Sequence, residues 1–126
     1  MKKSIGFIGC GKMASAIIKG IQGVNESNNF TVLGSEVNAD VAKSASDRLG
    51  INVLANNKEL AKASDIVFIA TKPNYVAEVV EEVKDVLTPE KLVVSIAAGV
   101  STSKIENIIP EIRVIRVMPN TPALVK

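Results

Sequence analysis

Two observations predict an α/β domain built on a doubly wound parallel sheet. Short apolar runs alternate along the chain with segments whose apolar residues recur at helical spacing, and six such runs can be marked. The runs show little period-two alternation except in the last, as expected of strands covered by helices on both faces. Right-handed crossovers and one reversal of winding then predict about six strands in the order 3-2-1-4-5-6.

The elements follow in order. Ser4–Ile8 is a short apolar run with β-branched content ending at glycine, the first strand. Met13–Ile21 has helical spacing and is closed by Gly20 and Gly23; 25–29 is a polar loop. Phe30–Gly34 is the second strand, and Asp40–Leu49 a helix with Gly50 at its C-terminal end. Asn52–Leu54 is a third strand, followed by a short helix, Lys58–Ala63, for which Asn57 is the expected N-cap. Ile66–Ala70 is a fully apolar fourth strand, Tyr75–Leu87 a helix and Leu92–Ile96 a fifth strand. Ser103–Ile109 is a helix opening with Ser103 and Glu106 at capping-box spacing and stopped by Pro110; Arg113–Val117 is the sixth strand. With no repeat, low-complexity segment or internal linker, residues 1–126 are expected to form one domain.

Composition narrows the function classes. Hydrophobic residues make up 47% of the chain, enough for a packed core without staples. A net charge of +2 and 3% aromatics argue against nucleic acid as a partner. The single cysteine, Cys10, precludes an internal disulfide and leaves nothing to argue for an oxidising compartment. There is no histidine, which excludes His-ligated metal and Ser-His-Asp machinery, and no metal site is expected. Lys2 and Lys3 before an apolar run imitate a signal peptide, but Gly9, Gly11 and Lys12 interrupt the run. No stretch approaches the length of a membrane span, so the expected location is the cytoplasm, with no membrane partner.

The chemistry begins at Gly9-Cys10-Gly11-Lys12-Met13-Ala14. A Gly-x-Gly-x-x-Gly/Ala pattern between a strand and a helix is the phosphate grip of a Rossmann-type dinucleotide-binding domain. Gly9 supplies the tight turn, Gly11 admits a pyrophosphate close to the backbone, and Ala14 keeps the helix near the sheet. The free N–H groups at the helix start face the phosphates. The alternative is a tight turn without a ligand. Cys10 reads as a small filler rather than a reactive thiol, and Lys12 either reaches a phosphate or is solvated.

Four further segments fall past strand ends. An acidic residue after the second strand holds a ribose 2′-hydroxyl and repels a 2′-phosphate; Glu36 lies there and favours NAD, or is a solvent-facing loop residue. Ser35 beside it is a candidate to hydrogen-bond a phosphate instead, and Lys43 is a distant one, so the choice between NAD and NADP stays open. Ala70-Thr71-Lys72-Pro73 puts a cation and a rigid corner at the end of a strand next to the first, although a surface lysine before a helix is the plain alternative. Small residues in Ser95-Ile96-Ala97-Ala98-Gly99-Val100 let a flat ring lie close, or make a tight connection. Met118-Pro119-Asn120-Thr121-Pro122 is a stiff polar loop at the same edge, or a simple exit from the domain.

Together these segments resemble pyrroline-5-carboxylate reductase. The matching stretches are Gly6–Ala14, Ala70–Pro73, Val94–Val100 and Val114–Pro122, in the family's order across the whole chain. The first is common to many dehydrogenases; the last, with the Lys-Pro pair, is more particular to this family. The resemblance implies reduction of a cyclic imino acid, 1-pyrroline-5-carboxylate, to proline by hydride from NADPH or NADH. It implies that Ile8, Gly9, Cys10, Gly11, Lys12 and Met13 bind the pyrophosphate and that Asn57 contacts the adenosine side. Ala70, Thr71, Lys72, Pro73, Ile96, Ala97 and Ala98 would line the ribose and nicotinamide, with Pro119, Asn120 and Thr121 on the substrate side. Glu36 departs from the pattern, because relatives often carry serine or another residue that tolerates a 2′-phosphate there. Length departs too. The family consists of longer, two-domain chains whose helical second domain dimerises and completes the substrate pocket, so this chain is expected to be the N-terminal domain alone, with no catalytic residue of its own and little or no turnover by itself.

Three rivals differ in what they leave unexplained. A β-hydroxyacid dehydrogenase usually has glycine where Ala14 stands and does not account for the Met118–Pro122 loop. A regulatory NAD-sensing domain has no need of the Lys-Pro corner. A domain of this fold that has lost its ligand has no need of Gly9, Gly11 and Ala14.

Overall fold

The structure, a computed structural model, describes residues 3–10, 12–24, 30–36, 38–96 and 102–117. The strands are β1 (Lys3–Ile8), β2 (Phe30–Ser35), β3 (Asn52–Leu54), β4 (Ile66–Ile69), β5 (Leu92–Ser95) and β6 (Arg113–Arg116). The helices are α1 (Lys12–Val24), α2 (Ala39–Leu49), α3 (Asn57–Ala63), α4 (Val76–Val83) and α5 (Thr102–Glu106). The strands form one sheet in the order β3-β2-β1-β4-β5-β6, every pair parallel, as the alternation predicts.

Side-chain alternation explains why these strands read as apolar runs. Ile5 and Phe7 face α1 and α2, in a core with Cys10, Ala14, Ile18, Ala45, Leu49 and Ile51. Ile8, Val67, Ile69 and Val93 face the other way, onto Leu60 of α3, the buried valines of α4 and Ile105 of α5. With both faces covered, polar residues are excluded at successive positions, and each fully buried aliphatic side chain contributes about 1.5–3 kcal/mol. Phe7 and Phe68, paired across β1 and β4, stack at 4.5 Å and 16°.

Several boundaries differ from the sequence expectation. α1 runs on through Gly20 and Gly23 to Val24, because burial of its Ile18 face outweighs the roughly 1 kcal/mol that each glycine costs a helix. The N-cap of α3 is Asn56, whose side chain accepts from the Glu59 N–H; Asn57 is the first helical residue, not the cap. The segment expected as one helix from Tyr75 to Leu87 is a 3₁₀ turn (Pro73–Tyr75), α4, and a second 3₁₀ turn (Lys84–Val86). α5 begins at Thr102, so Ser103 lies inside the helix rather than opening it. The chain turns after Glu106, which buries Ile105, Ile109 and Ile112 together. α2 meets expectation at its end, which Gly50 closes at φ 66°, and it starts one residue earlier than expected, with Asn38 as its N-cap. Among the described residues no helix is long and apolar enough to cross a membrane.

Candidate functional site

The register aligns the C-terminal ends of all six strands. Leu54, Ser35, Ile8, Ile69, Ser95 and Arg116 form one row from β3 to β6. Backbone pairing continues one residue past this row. The Gly9 N–H donates to Ser35 O at 2.9 Å, the Ala70 N–H to Ile8 O at 2.9 Å, and the Ile96 N–H to Ile69 O at 3.2 Å. Glu36 is anchored likewise, its N–H donating to Leu54 O at 2.9 Å. The segments at 8–10, 35–36, 70–73 and 96 therefore meet along one edge, beside the reversal of strand order where open α/β sheets take ligands.

Gly9 makes the tight turn expected of it after β1. Gly9 sits at φ 94°, and a Cβ there would lie 3.0 Å from Ala70 O and 3.1 Å from Ala70 C. Turn and β4 exit thus pack backbone against backbone. α1 starts three residues on, with Ala14 buried against the sheet. The free N–H groups of a helix start carry a partial positive charge. Lys12 and Met13 lie in the first turn of α1, while Gly11 is outside the described residues.

Cys10 is a filler. Its side chain is buried, its Sγ donates to Ser35 O at 3.6 Å, and it packs on Gly34, where a Cβ would come within 2.8 Å of the sulfur. Burial, and secondarily the Glu36 charge, push the thiol up to about 11 from 9.0. Two results are expected. The folded chain resists iodoacetamide at pH 8, where about one thiol in a thousand is ionised. In the unfolded chain the thiol ionises first, so its contribution to stability is complete below about pH 9 and is lost as the pH rises to about 11. Urea midpoints across that range should fall more steeply for the wild type than for Cys10→Ala; parallel slopes would contradict the assignment.

Glu36 and Ser35 take separate paths. Glu36 is half-buried beside the turn; its Oε1 accepts from the Cys10 N–H at 3.3 Å and its Oε2 from the Asn38 N–H at 3.2 Å. Ser35 is completely buried, and its hydroxyl donates to Asn57 Oδ1 at 2.6 Å. The expectation that Ser35 offers its hydroxyl to a phosphate is therefore corrected, because the side chain points inward from β2. Asn57 Nδ2 in turn donates to Glu82 Oε1 on α4 at 3.0 Å. The sequence points to Ser35 and Asn57 but holds no signal for Glu82, which comes from a helix 25 residues on.

Past β4, Thr71 is half-buried and Lys72 and Pro73 are exposed, with Pro73 opening the 3₁₀ turn. Thr71 Oγ1, two residues past β4, and Ser95 Oγ, at the end of β5, are buried with no hydrogen-bond partner among the described residues. Ser95 opens the 95–100 segment that the sequence marks past the fifth strand. Lys43 is exposed in the second turn of α2. Ala97, Ala98, Pro119, Asn120 and Thr121 lie outside the described residues.

A family model described as NADP oxidoreductase, coenzyme F420-dependent, matches residues 4–99. Among curated proteins, the chain is 39% identical to the pyrroline-5-carboxylate reductase of Escherichia coli (strain K12) over 126 residues, 99% of this chain and 47% of that protein. Among solved structures, a pyrroline-5-carboxylate reductase from Coxiella burnetii superposes with a TM-score of 0.86 at 33% identity, over 99% of this chain and 47% of the other. The Plasmodium falciparum pyrroline carboxylate reductase with NADP bound superposes with a TM-score of 0.73 at 32% identity, over 98% and 44%. The chain spans about half the length of the curated relatives it matches.

Proposed function

The chain belongs to the family described as NADP oxidoreductase, coenzyme F420-dependent, and from that premise we propose that it is the dinucleotide-binding half of a pyrroline-5-carboxylate reductase. The observation that carries the proposal is the packing of the Gly9 turn directly on Ala70 and Thr71. It joins the general phosphate grip to the Ala70–Pro73 corner, a more particular feature, in one crevice.

In this reading, Ile8 to Met13 hold the pyrophosphate and Glu36 and Asn57 flank the adenosine side. Ala70 to Pro73 and Ile96 to Ala98 line the nicotinamide ribose and ring, while Pro119 to Thr121 face the substrate. The bound cofactor, NADPH or NADH, supplies hydride to the imine carbon. The task of these residues is to hold the donor carbon near contact with that atom, since such a transfer depends mainly on positioning. The thiol of Cys10, held neutral, takes no part. A helical second domain supplies the other wall of the pocket and the homo-oligomer contacts, and the protein works in the cytoplasm on a small cyclic imino acid.

The test is a chimera in which residues 1–126 replace the matching N-terminal half of the E. coli enzyme. It should oxidise NADH or NADPH in the presence of pyrroline-5-carboxylate, whereas the 126-residue chain alone should bind dinucleotide with little or no turnover. A folded chimera that binds dinucleotide and leaves the imine untouched would overturn the substrate assignment, and steady turnover by the isolated chain would overturn the division of labour.

A further inference from the structure

We propose that Glu36 makes this crevice select NADH over NADPH. The inference rests on the dinucleotide-site reading above and departs from the relative whose structure holds NADP.

Three features of the β2 end converge on it. The first is the carboxylate itself. Each Glu36 oxygen takes one backbone N–H, from Cys10 at 3.3 Å and from Asn38 at 3.2 Å, so the group is held between the glycine turn and the entrance to α2. A carboxylate accepts about four hydrogen bonds and donates none. The remaining capacity suits the two hydroxyls of an unmodified ribose, which donate. A 2′-phosphate presents oxygens and a charge of about −1.5 to −2, and is repelled.

The second is the fate of Ser35. It is the neighbour able to donate to a phosphate, but it is completely buried and spends its proton on Asn57 Oδ1. The third is the start of α2. The Asp40 and Val41 N–H groups, which would otherwise favour an anion, are already bonded to Asn38 Oδ1 at 3.0 and 3.1 Å, and Asp40 adds a second negative charge in the first turn. The cations of α2 stand further along it. Lys43 is in the second turn; Arg48 is in the last, where its charge still reaches the Cys10 thiol but its Nε donates to Ser44 Oγ at 3.3 Å. The end of β2 is therefore built to accept donors, not to hold a second anion.

Calorimetric titration of the 126-residue chain with NADH and with NADPH tests this. NADH should bind about tenfold tighter, the effect of one unfavourable charge contact at a partly screened site. In Glu36→Gln the gap should close to within about threefold, mainly through tighter NADPH, since an amide of the same shape lacks the charge. A second arm needs no variant: raising NaCl from about 0.05 M to about 0.5 M screens a repulsion and should narrow the wild-type gap. Equal affinities, tighter NADPH, a gap that widens with salt, or a gap unchanged in a folded Glu36→Gln would each overturn the inference while leaving the dinucleotide site standing. Failure of both nucleotides to bind would instead remove the reading on which it rests.

Discussion

Gly9→Ala should cost more than tenfold in dinucleotide affinity and about 2–4 kcal/mol in stability. Gly9 has φ 94°, a conformation that charges any side chain about 1–2 kcal/mol. The new Cβ would also stand 3.0 Å from Ala70 O and 3.1 Å from Ala70 C. Those atoms belong to backbone tied to Ile8 O by the Ala70 N–H, so no rotamer relieves the contact. The turn must lift off the β4 exit, which opens the crevice at the proposed phosphate grip. Urea titration and calorimetric binding of NADH measure the two losses. An alanine variant with wild-type midpoint and affinity would show that the close approach is not needed.

The second large effect is expected away from the crevice. Gly6 lies in the middle of β1 facing α3, where a Cβ would overlap Ser64 Oγ and come within 2.7 Å of Leu60 Cδ1. Neither neighbour can yield easily. Leu60 is completely buried, and the Ser64 hydroxyl is committed to Leu60 O at 2.6 Å. β1 is paired on both sides, Gly6 with Leu33 and with Val67, so the strand cannot shift. Gly6→Ala should therefore push α3 off the sheet and destabilise the fold by about 3 kcal/mol. Removing the hydroxyl relieves part of the overlap, so Gly6→Ala should cost less in a Ser64→Ala background than in the wild type, with a coupling of about 1 kcal/mol or more. Additive losses from the two substitutions would exclude direct packing as the cause. Because α3 opens with Asn57, the same variant should also loosen the bonds to Ser35 and Glu82.

These two glycines differ in how far the sequence reveals them. Gly9 stands in a recognisable pattern, so its role is legible without coordinates. Gly6 opens a stretch that matches the family, but the stretch does not say why glycine stands there; its role depends on Leu60 and Ser64, which lie more than fifty residues away along the chain. The same division runs through the helix ends. Asn56 and Asn57 are both good caps, and sequence gives no way to choose between them. In the fold Asn56 caps the Glu59 N–H, and Asn57 turns inward because Ser35 and Glu82 wait there. Gly20 and Gly23 read as the end of α1, but the helix continues past both, since local propensity is a small term beside burial.

The sequence by itself determined the layered sheet and its strand order, because burial on two faces writes itself into the chain as unbroken apolar runs. It also determined the tight turn after β1, because a positive φ and a close backbone approach admit so few residue types. Only the tertiary structure decided how the residues around that turn divide their work. Ser35 and Glu36 are neighbours in sequence, yet alternation along β2 sends one hydroxyl into the core, while the carboxylate beyond the strand end bonds the glycine turn. Which side chain is spent on the protein and which remains for a ligand depends on partners brought from 22 and 26 residues away. Such distant pairings leave no local signature, and they turn an open choice between two cofactors into a testable preference for one.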